Sequence, residues 1–245
     1  MQALKPANML SYQLIRSAKR KTIGLQVKHG KIIIRAPKFV SEKEVANIVN
    51  AKSAWLQKKV AEQNSIPHHS NNYCQESSKL LINGELKTLH ITYGLFPEVI
   101  LEQDLIIVTI SNRMKSKVFD KPDLQKTQVK RQLEDWFKQR TSHYIEENLS
   151  LQAEKIGVLP KSFKVRLYKS RWGSCNSRAE LSFSSLLVMT PNWVIDYVIV
   201  HELCHLHHMN HSTAFWQLVE LNYPHYLLAK AWLKSHQNQL HWPNI

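Results

Sequence analysis

The chain has 245 residues, enough for one large domain or two smaller ones that bury a core without disulfides. Its 33 Lys and Arg against 19 Asp and Glu give a net charge of +14, which makes phosphate-bearing partners worth considering but does not distinguish a nucleotide from a nucleic acid. The three irregularly spaced cysteines argue against a secreted disulfide framework, and no signal-peptide core or run of about eighteen apolar residues is present, so we expect a cytoplasmic protein with no membrane partner.

Alternating apolar residues predict a β-hairpin in residues 12–37. Ile, Leu and Val recur at every second position on both sides of His29-Gly30, which is a turn sequence. The segment also contains a dense group of basic residues, namely Arg16, Lys19, Arg20, Lys21, Lys28, Lys31 and Arg35. We interpret this group first as a solvated face, and second as a phosphate-binding face that could support a weak association with nucleic acid.

A helix is predicted after the hairpin. Ser41 and Glu44 have the spacing of a capping box, and the apolar residues that follow keep helical spacing to about Glu62. Together the hairpin and this helix form a predicted N-terminal region, residues 1–63.

Residues 64–79 are polar, and we predict that they form a linker. His68, His69 and Cys74 lie in it, but a linker offers no fixed geometry, so any metal binding there would be adventitious. The rest of the chain, residues 80–245, is predicted to contain further strands, a long helix and a metal site.

Strand-like runs occupy residues 80–110 and precede a long helix. Asn83-Gly84 is a hairpin sequence and Gln103-Asp104 a second turn, so we expect a small antiparallel sheet. Residues 113–117 are interpreted as a basic loop. A helical pattern then begins at Pro122 and ends near residue 157.

Two further strands, separated by a loop, are predicted before the metal site. Leu181, Ser182 and Phe183 belong to the second strand, which we place at a sheet edge, where an extended substrate could be added as a further strand. In the loop, Gly173 suits a tight turn. Arg171 could bind a carboxylate or phosphate, stabilise an oxyanion, or form a structural ion pair.

The sequence His201-Glu202-Leu203-Cys204-His205 has the pattern H-E-x-x-H. We predict a helix here, with Thr190-Pro191 as N-cap and first residue, because an apolar run follows that pair. Residues four apart share a helix face, so His201 and His205 can bind one zinc ion. Glu202, about 100° round the helix, can take a proton from a metal-bound water. His211 is the candidate third ligand, and three ligands leave one position open.

Other interpretations of this region remain open. The chain has thirteen histidines, so an exposed His-rich helix end is an alternative, and we interpret His207 and His208 as exposed bystanders. Cys175 and Cys204 could join the histidines in a structural zinc site, although the apolar neighbours of Cys204 favour a small core residue. Ser212 is a predicted helix cap, and the aromatic residues that follow it are assigned to the core.

The residues 171–175, the H-E-x-x-H sequence and His211-Ser212-x-x-Phe215 together resemble the YgjP-like metallopeptidase family. The resemblance extends over most of the chain. That family is related to the SprT-like and WLM zincin-type metallopeptidases, and some of its members are labelled UTP pyrophosphatase. It implies an α+β, zincin-like C-terminal region in which His201, His205 and His211 bind the metal and Glu202 is the catalytic base. A metzincin is excluded because His208 replaces a required Gly and no Met-turn follows.

Three functions follow from these residues. The first is a zinc-dependent metallohydrolase of the metallopeptidase type that acts on a peptide or protein. The second keeps the same metal and base but hydrolyses a nucleoside triphosphate such as UTP, although the sequence has no phosphate-binding loop of the G-x-x-x-x-G-K-[ST] type. The third is a nucleic-acid-associated module with a structural zinc, against which Glu202 argues because such a site needs no base.

Overall fold

The computed structural model describes residues 10–28, 30–64, 74–168, 170–237, 239–240 and 242. The chain divides into two compact units, Met1–Asn71 and Asn72–Ile245. The predicted turn residue His29, and most of the predicted linker with His68 and His69, lie outside the described residues. Within the described parts of the chain, no helix is both long and apolar enough to cross a membrane.

The first unit contains a three-stranded sheet and two helices. These elements are β1 (Tyr12–Ser17), β2 (Gly24–Lys28), β3 (Lys31–Pro37), α1 (Glu42–Ala51) and α2 (Ser53–Asn64). Strands β2 and β3 form the predicted hairpin, and β1 adds a strand parallel to β3, which gives the order β1-β3-β2. Because side chains alternate along a strand, Ile32 and Ile34 share one face of β3, and they pack into one core with Val45, Val49 and Leu56 of the helices.

The single helix predicted to about Glu62 is wrong, because the structure has two helices. The predicted capping box is present: the Glu44 backbone N–H donates to Ser41 Oγ (3.2 Å), and the Ser41 backbone N–H donates to Glu44 Oε2 (2.9 Å). The break falls at Lys52, with φ −107° and ψ 12°. Apolar spacing did not reveal it, because Val45 and Leu56 on either side are buried in the same core.

The second unit contains the remaining elements. Its strands are β4 (Lys79–Ile82), β5 (Glu85–Gly94), β6 (Glu98–Leu101), β7 (Leu105–Ser111), β8 (Ser162–Arg166), β9 (Gly173–Cys175) and β10 (Glu180–Ser184). Its helices are α3 (Asn112–Val118), α4 (Pro122–Ile156), a 3-10 helix (Ser185–Met189), α5 (Asn192–Cys204), α6 (Thr213–Asn222) and α7 (Tyr226–Ser235). The fold is therefore α+β, as predicted.

The sheets of this unit are mixed, and the expectation of antiparallel sheets was wrong. In the order β4-β5-β7-β6, strands β5 and β7 are parallel, and in the order β8-β10-β9, strands β8 and β10 are parallel. The predicted turn at Asn83-Gly84 joins β4 to β5, with φ of 50° and 83°, and Gln103-Asp104 lies between β6 and β7. Turn sequences identify local hairpins but not which other strands become neighbours.

Two helix assignments also differ from the predictions. Residues 113–117, predicted as a basic loop, lie in α3, where among the described side chains only Val118 is buried, so apolar spacing gave no signal. Helix α5 begins one residue later than predicted. The Pro191 carbonyl accepts from the backbone N–H groups of Val194 and Ile195, whereas Thr190 Oγ1 donates to Leu187 O (2.8 Å) and caps nothing in α5.

Helix α5 lies at the centre of the second unit. Its apolar residues occur on all sides, and it contacts α4, β9, α6 and α7. A helix that is apolar all round is expected to be buried on all sides. This burial fixes the direction of the side chains at the C-terminal end of α5.

Candidate metal centre

Three imidazoles meet at the end of α5. His201 lies in the last turn of the helix, and His205 is its C-cap. The chain then turns back and brings His211 to within 3.1 Å of His201, measured between the two Nε2 atoms. The ligand atoms of the three histidines lie within 4.8 Å of one another. Nitrogens bound tetrahedrally at about 2.0–2.1 Å from zinc lie roughly 3.4 Å apart, so this donor set fits one ion.

The ring orientations of His201 and His205 are fixed by neighbours. His205 Nδ1 donates to the backbone carbonyl of His208 (2.9 Å), which leaves Nε2 for a metal. His201 Nδ1 lies 3.4 Å from the Tyr197 hydroxyl. Burial, followed by the charges of His205 and His211, lowers the pKa of His201 to about 3, so the ring is neutral as a ligand must be. His208, predicted to be a bystander, thus contributes through its main chain.

Aromatic rings pack against the same histidines. Phe215, fully buried, stacks on His205 with ring centroids 4.5 Å apart, and Trp216 stacks on His211 at 5.5 Å. Both lie in the first turn of α6, whose predicted cap is present because the Phe215 N–H donates to Ser212 Oγ (3.3 Å). Assigning these residues to the core from sequence missed this support of the imidazoles, although their closeness to His211 was a signal.

Glu202 is buried beside β9. It is only 5% exposed, and burial raises its pKa to about 8, although the positive charge of Arg171 lowers it in part. A Cβ added at Gly173 would lie 2.6 Å from Glu202 Cγ and closer still to Oε1. The tight-turn interpretation of Gly173 is therefore replaced: Gly173 lies in a strand, and the absence of a side chain there lets the backbone approach the carboxylate.

Two cations act on the charges of this site, Arg171 on Glu202 and Lys230 on His201. Arg171, which precedes β9, is exposed, and its guanidinium lies 5.3 Å from the centre of the Tyr168 ring. Among the residues that the structure describes, Arg171 has no carboxylate within 4.0 Å, so the structural ion pair is not observed. Lys230 of α7 has its Nζ 3.9 Å from the centre of the Trp216 ring, and its charge contributes to lowering the pKa of His201.

The predicted substrate edge strand was wrong. Leu181, Ser182 and Phe183 lie in β10, which is the central strand, with β8 and β9 paired on either side, so its backbone groups are not free to bind a peptide. Leu181 and Phe183 are fully buried in the core. The strand that borders α5 is β9, which pairs with β10 on one side and is the last strand of this sheet in the described structure. With three residues, β9 is too short to give a periodic sequence signal.

The cysteines do not join the histidines. Cys204 is buried in the core, as predicted, and burial raises its pKa to about 12. Cys175 is half-buried, with its pKa raised to about 11 by burial and by the charge of Glu202. Cys74 is also buried in the core of the second unit. Within the described part of the chain, the potential metal-binding group consists of the three histidines without a cysteine.

Comparison with known proteins gives one family. A family model described as "YgjP-like, metallopeptidase domain" matches residues 21–236. No curated protein matches the chain, and no solved structure does. The matched range includes the three histidines, Glu202, β9 and most of the first unit.

Proposed function

The chain belongs to the YgjP-like metallopeptidase family, and from this premise we propose that it is a zinc-dependent hydrolase that cleaves peptide bonds with Glu202 as the base. The observation that carries the proposal is the convergence of His201, His205 and His211 within 4.8 Å, next to a buried carboxylate. Three imidazoles leave one position of a tetrahedral site open, which distinguishes a catalytic from a closed structural site.

The three histidines would hold the ion through neutral imidazoles. When bound, zinc supplies a Lewis acid that polarises a water molecule and the substrate carbonyl. The His205–His208 hydrogen bond and the Phe215 ring keep one imidazole in place. Pre-set ligand orientation of this kind is typical of sites with high metal affinity.

Glu202 would move the proton. Its carboxylate takes a proton from the attacking water and returns it to the leaving amine. Burial supports this role, because it raises the pKa of the carboxylate to about 8, close to physiological pH, where a group can serve both as proton acceptor and as proton donor. The approach of Gly173 excludes water from one side of the carboxylate and limits its rotation.

Strand β9 is our revised candidate for substrate binding. It contacts α5, and Gly173 touches Glu202, so a peptide paired with its outer edge would lie beside the base. Arg171 immediately precedes this strand and would bind a carboxylate or the developing oxyanion of such a substrate. The edge of β9 therefore replaces Leu181, Ser182 and Phe183 as the candidate substrate-binding edge.

Nucleoside triphosphate hydrolysis is the second candidate. Arg171 and Lys230 favour it, because a cation whose charge acts on Glu202 and another whose charge acts on His201 suit an anionic substrate better than a neutral peptide bond. A nucleic-acid module with a purely structural zinc is less well supported, because it gives no reason to bury Glu202 beside an incomplete ligand set.

The test offers both substrate classes to one preparation. Purified full-length protein with zinc is incubated with a peptide library and with a panel of nucleoside triphosphates including UTP. The comparison variants are Glu202→Gln and, as a matched control, Glu220→Gln on the exposed side of α6. Peptide cleavage lost only in Glu202→Gln supports the proposal. Hydrolysis of triphosphates alone supports the second candidate, and no hydrolysis of either class contradicts both.

A further inference from the structure

One end of the sheet in the first unit collects three chain segments. Strands β1 and β3 are parallel and end together, with Ser17 opposite Pro37, and β2 begins at the same end, with Gly24 opposite Arg35. Since β3 lies between β1 and β2, the connection formed by residues 18–23 spans the end of β3. The segment after β3 starts at this end as well.

This end is strongly positive. We call it the basic end, and its cations are Lys19, Arg20, Lys21, Arg35 and Lys38. Over the residues that the structure describes, none of them has a carboxylate within 4.0 Å. The acidic groups closest in the chain are Glu42 and Glu44, and Glu44 is held by Ser41. Residues 10–64 contain twelve Lys and Arg against three Asp and Glu, so little negative charge in this segment offsets the basic end.

The backbone that carries these cations is held in place. The Arg16 guanidinium donates to Pro37 O (3.2 Å) and to Val40 O, which ties β1 to the segment after β3. Within the connection, the Lys19 backbone N–H donates to Ser17 Oγ (3.3 Å). The backbone of the basic end is therefore preorganised, so a ligand binds with a smaller loss of conformational entropy.

An exposed aromatic side chain follows the last of these cations in the chain. Phe39 follows Lys38 directly and is 79% exposed, although its ring would be more stable in a core. Cations spaced along a surface suit repeated phosphates, and an exposed ring suits an unstacked base. A duplex keeps its bases stacked and offers no such partner.

We propose that the basic end of the first unit binds single-stranded nucleic acid, with its Lys and Arg on the phosphates and Phe39 stacked on a base. The proposal is independent of the hydrolase: it concerns residues of the first unit and requires neither zinc nor Glu202.

Fluorescence anisotropy with labelled single-stranded RNA and DNA oligonucleotides tests it on the full chain. Contact with about four phosphates should weaken binding ~50-fold between 50 and 200 mM salt. The combined variant Lys19→Glu, Lys21→Glu, Lys38→Glu should weaken binding at least ~10-fold at 50 mM salt. The RNA and DNA arms show which of the two nucleic acids binds more tightly, and a preference for either one supports the proposal.

Matched controls separate this surface from net charge. Lys31, Lys52 and Lys58 lie elsewhere on the unit, and replacing all three with Glu makes the same change in charge. We expect that variant to retain most of the affinity. Phe39→Ala should weaken binding about five-fold or more, whereas Trp55→Ala, which alters another exposed aromatic residue, should not.

Four results would overturn the proposal. They are the absence of oligonucleotide binding at 50 mM salt, equal weakening by the two triple variants, equal affinity for duplex and single strand, and binding to vesicles of anionic phospholipid without binding to oligonucleotides. Circular dichroism of each variant checks that it is folded, and an unfolded triple variant is replaced by the single substitution Lys21→Glu.

Discussion

The two units place their chemically important residues in opposite settings. In the second unit the histidines and Glu202 lie at the end of α5, a helix packed on several sides by α4, β9, α6 and α7. In the first unit the basic residues lie at the exposed end of a small sheet. Residues 1–71 contain 13 Lys and Arg against 3 Asp and Glu, whereas residues 72–245 contain 20 against 16.

The difference shows what each kind of chemistry requires. A metal site needs ligand atoms fixed to within a few tenths of an ångström, and dense packing around α5 provides that. Contacts with phosphates along a flexible strand tolerate displacement, so exposed side chains on a tied backbone are sufficient. Substitutions around the end of α5 should therefore alter metal binding or catalysis, whereas those in the first unit should alter only the stability and the ligand binding of that unit.

The largest expected effect is a loss of catalysis without a loss of zinc. Replacing Glu202 with Gln keeps the shape of the side chain but removes its ability to accept a proton, so the rate should fall by roughly 10²–10⁴. Zinc content, measured by elemental analysis, should be unchanged because Glu202 is not one of the three ligands. An unchanged rate in this variant would show that the assigned base is wrong.

The next largest effect comes from removing an aromatic ring that packs against the candidate metal ligands. Phe215→Ala should lower the free energy of unfolding by about 3–5 kcal/mol, and it should also weaken zinc binding, because the ring that stacks on His205 is lost. Phe137→Ala is the matched control: this residue of α4 is equally buried and packs against Trp242. Denaturant unfolding and zinc titration should show similar destabilisation in both variants but weaker zinc binding only in the first. Equal zinc affinities would contradict the supporting role of Phe215.

A smaller change tests the contact between β9 and the base. A methyl group at residue 173 clashes with Glu202, so Gly173→Ala should cost about 1–3 kcal/mol of stability and lower the rate through displacement of the carboxylate. Gly157→Ala serves as the comparison, because φ of 74° makes alanine unfavourable there by about 1–2 kcal/mol while no atom lies within 4 Å of the added group. If both variants have the same activity per folded molecule, close approach to Gly173 has no catalytic importance.

The smallest effect is confined to the first unit. Ser41→Ala removes the cap of α1 and should lower the stability of that unit by about 1 kcal/mol. Zinc content and hydrolysis should not change. Thermal unfolding and zinc release are measured together in this variant. A lower zinc affinity would contradict the expectation that substitutions in the first unit leave the metal site unchanged.

Local signals explain what the sequence could predict. The spacing of His201, His205 and His211, the Ser41 capping box and the Asn83-Gly84 turn each depend on residues close together in the chain, and all three features have the expected local geometry in the structure. The roles of the histidines as ligands remain a prediction.

Non-local pairing explains what the sequence missed. The position of β10 between β8 and β9 depends on strands that come together only in the folded chain, so Leu181 looked equally suited to an edge. The need for Gly173 arises from a contact with Glu202, 29 residues away in the sequence, and no turn pattern encodes it. The break at Lys52 left the apolar spacing intact.

The most direct test of the account is the zinc content of the purified chain and its histidine variants. We expect about one zinc per wild-type chain, and a loss of affinity of at least ~10–100-fold in His201→Ala, His205→Ala and His211→Ala. His208→Ala is the control, because its hydrogen bond to His205 comes from the backbone carbonyl and survives the substitution. Undiminished zinc in the His201→Ala and His211→Ala variants would contradict the site described here.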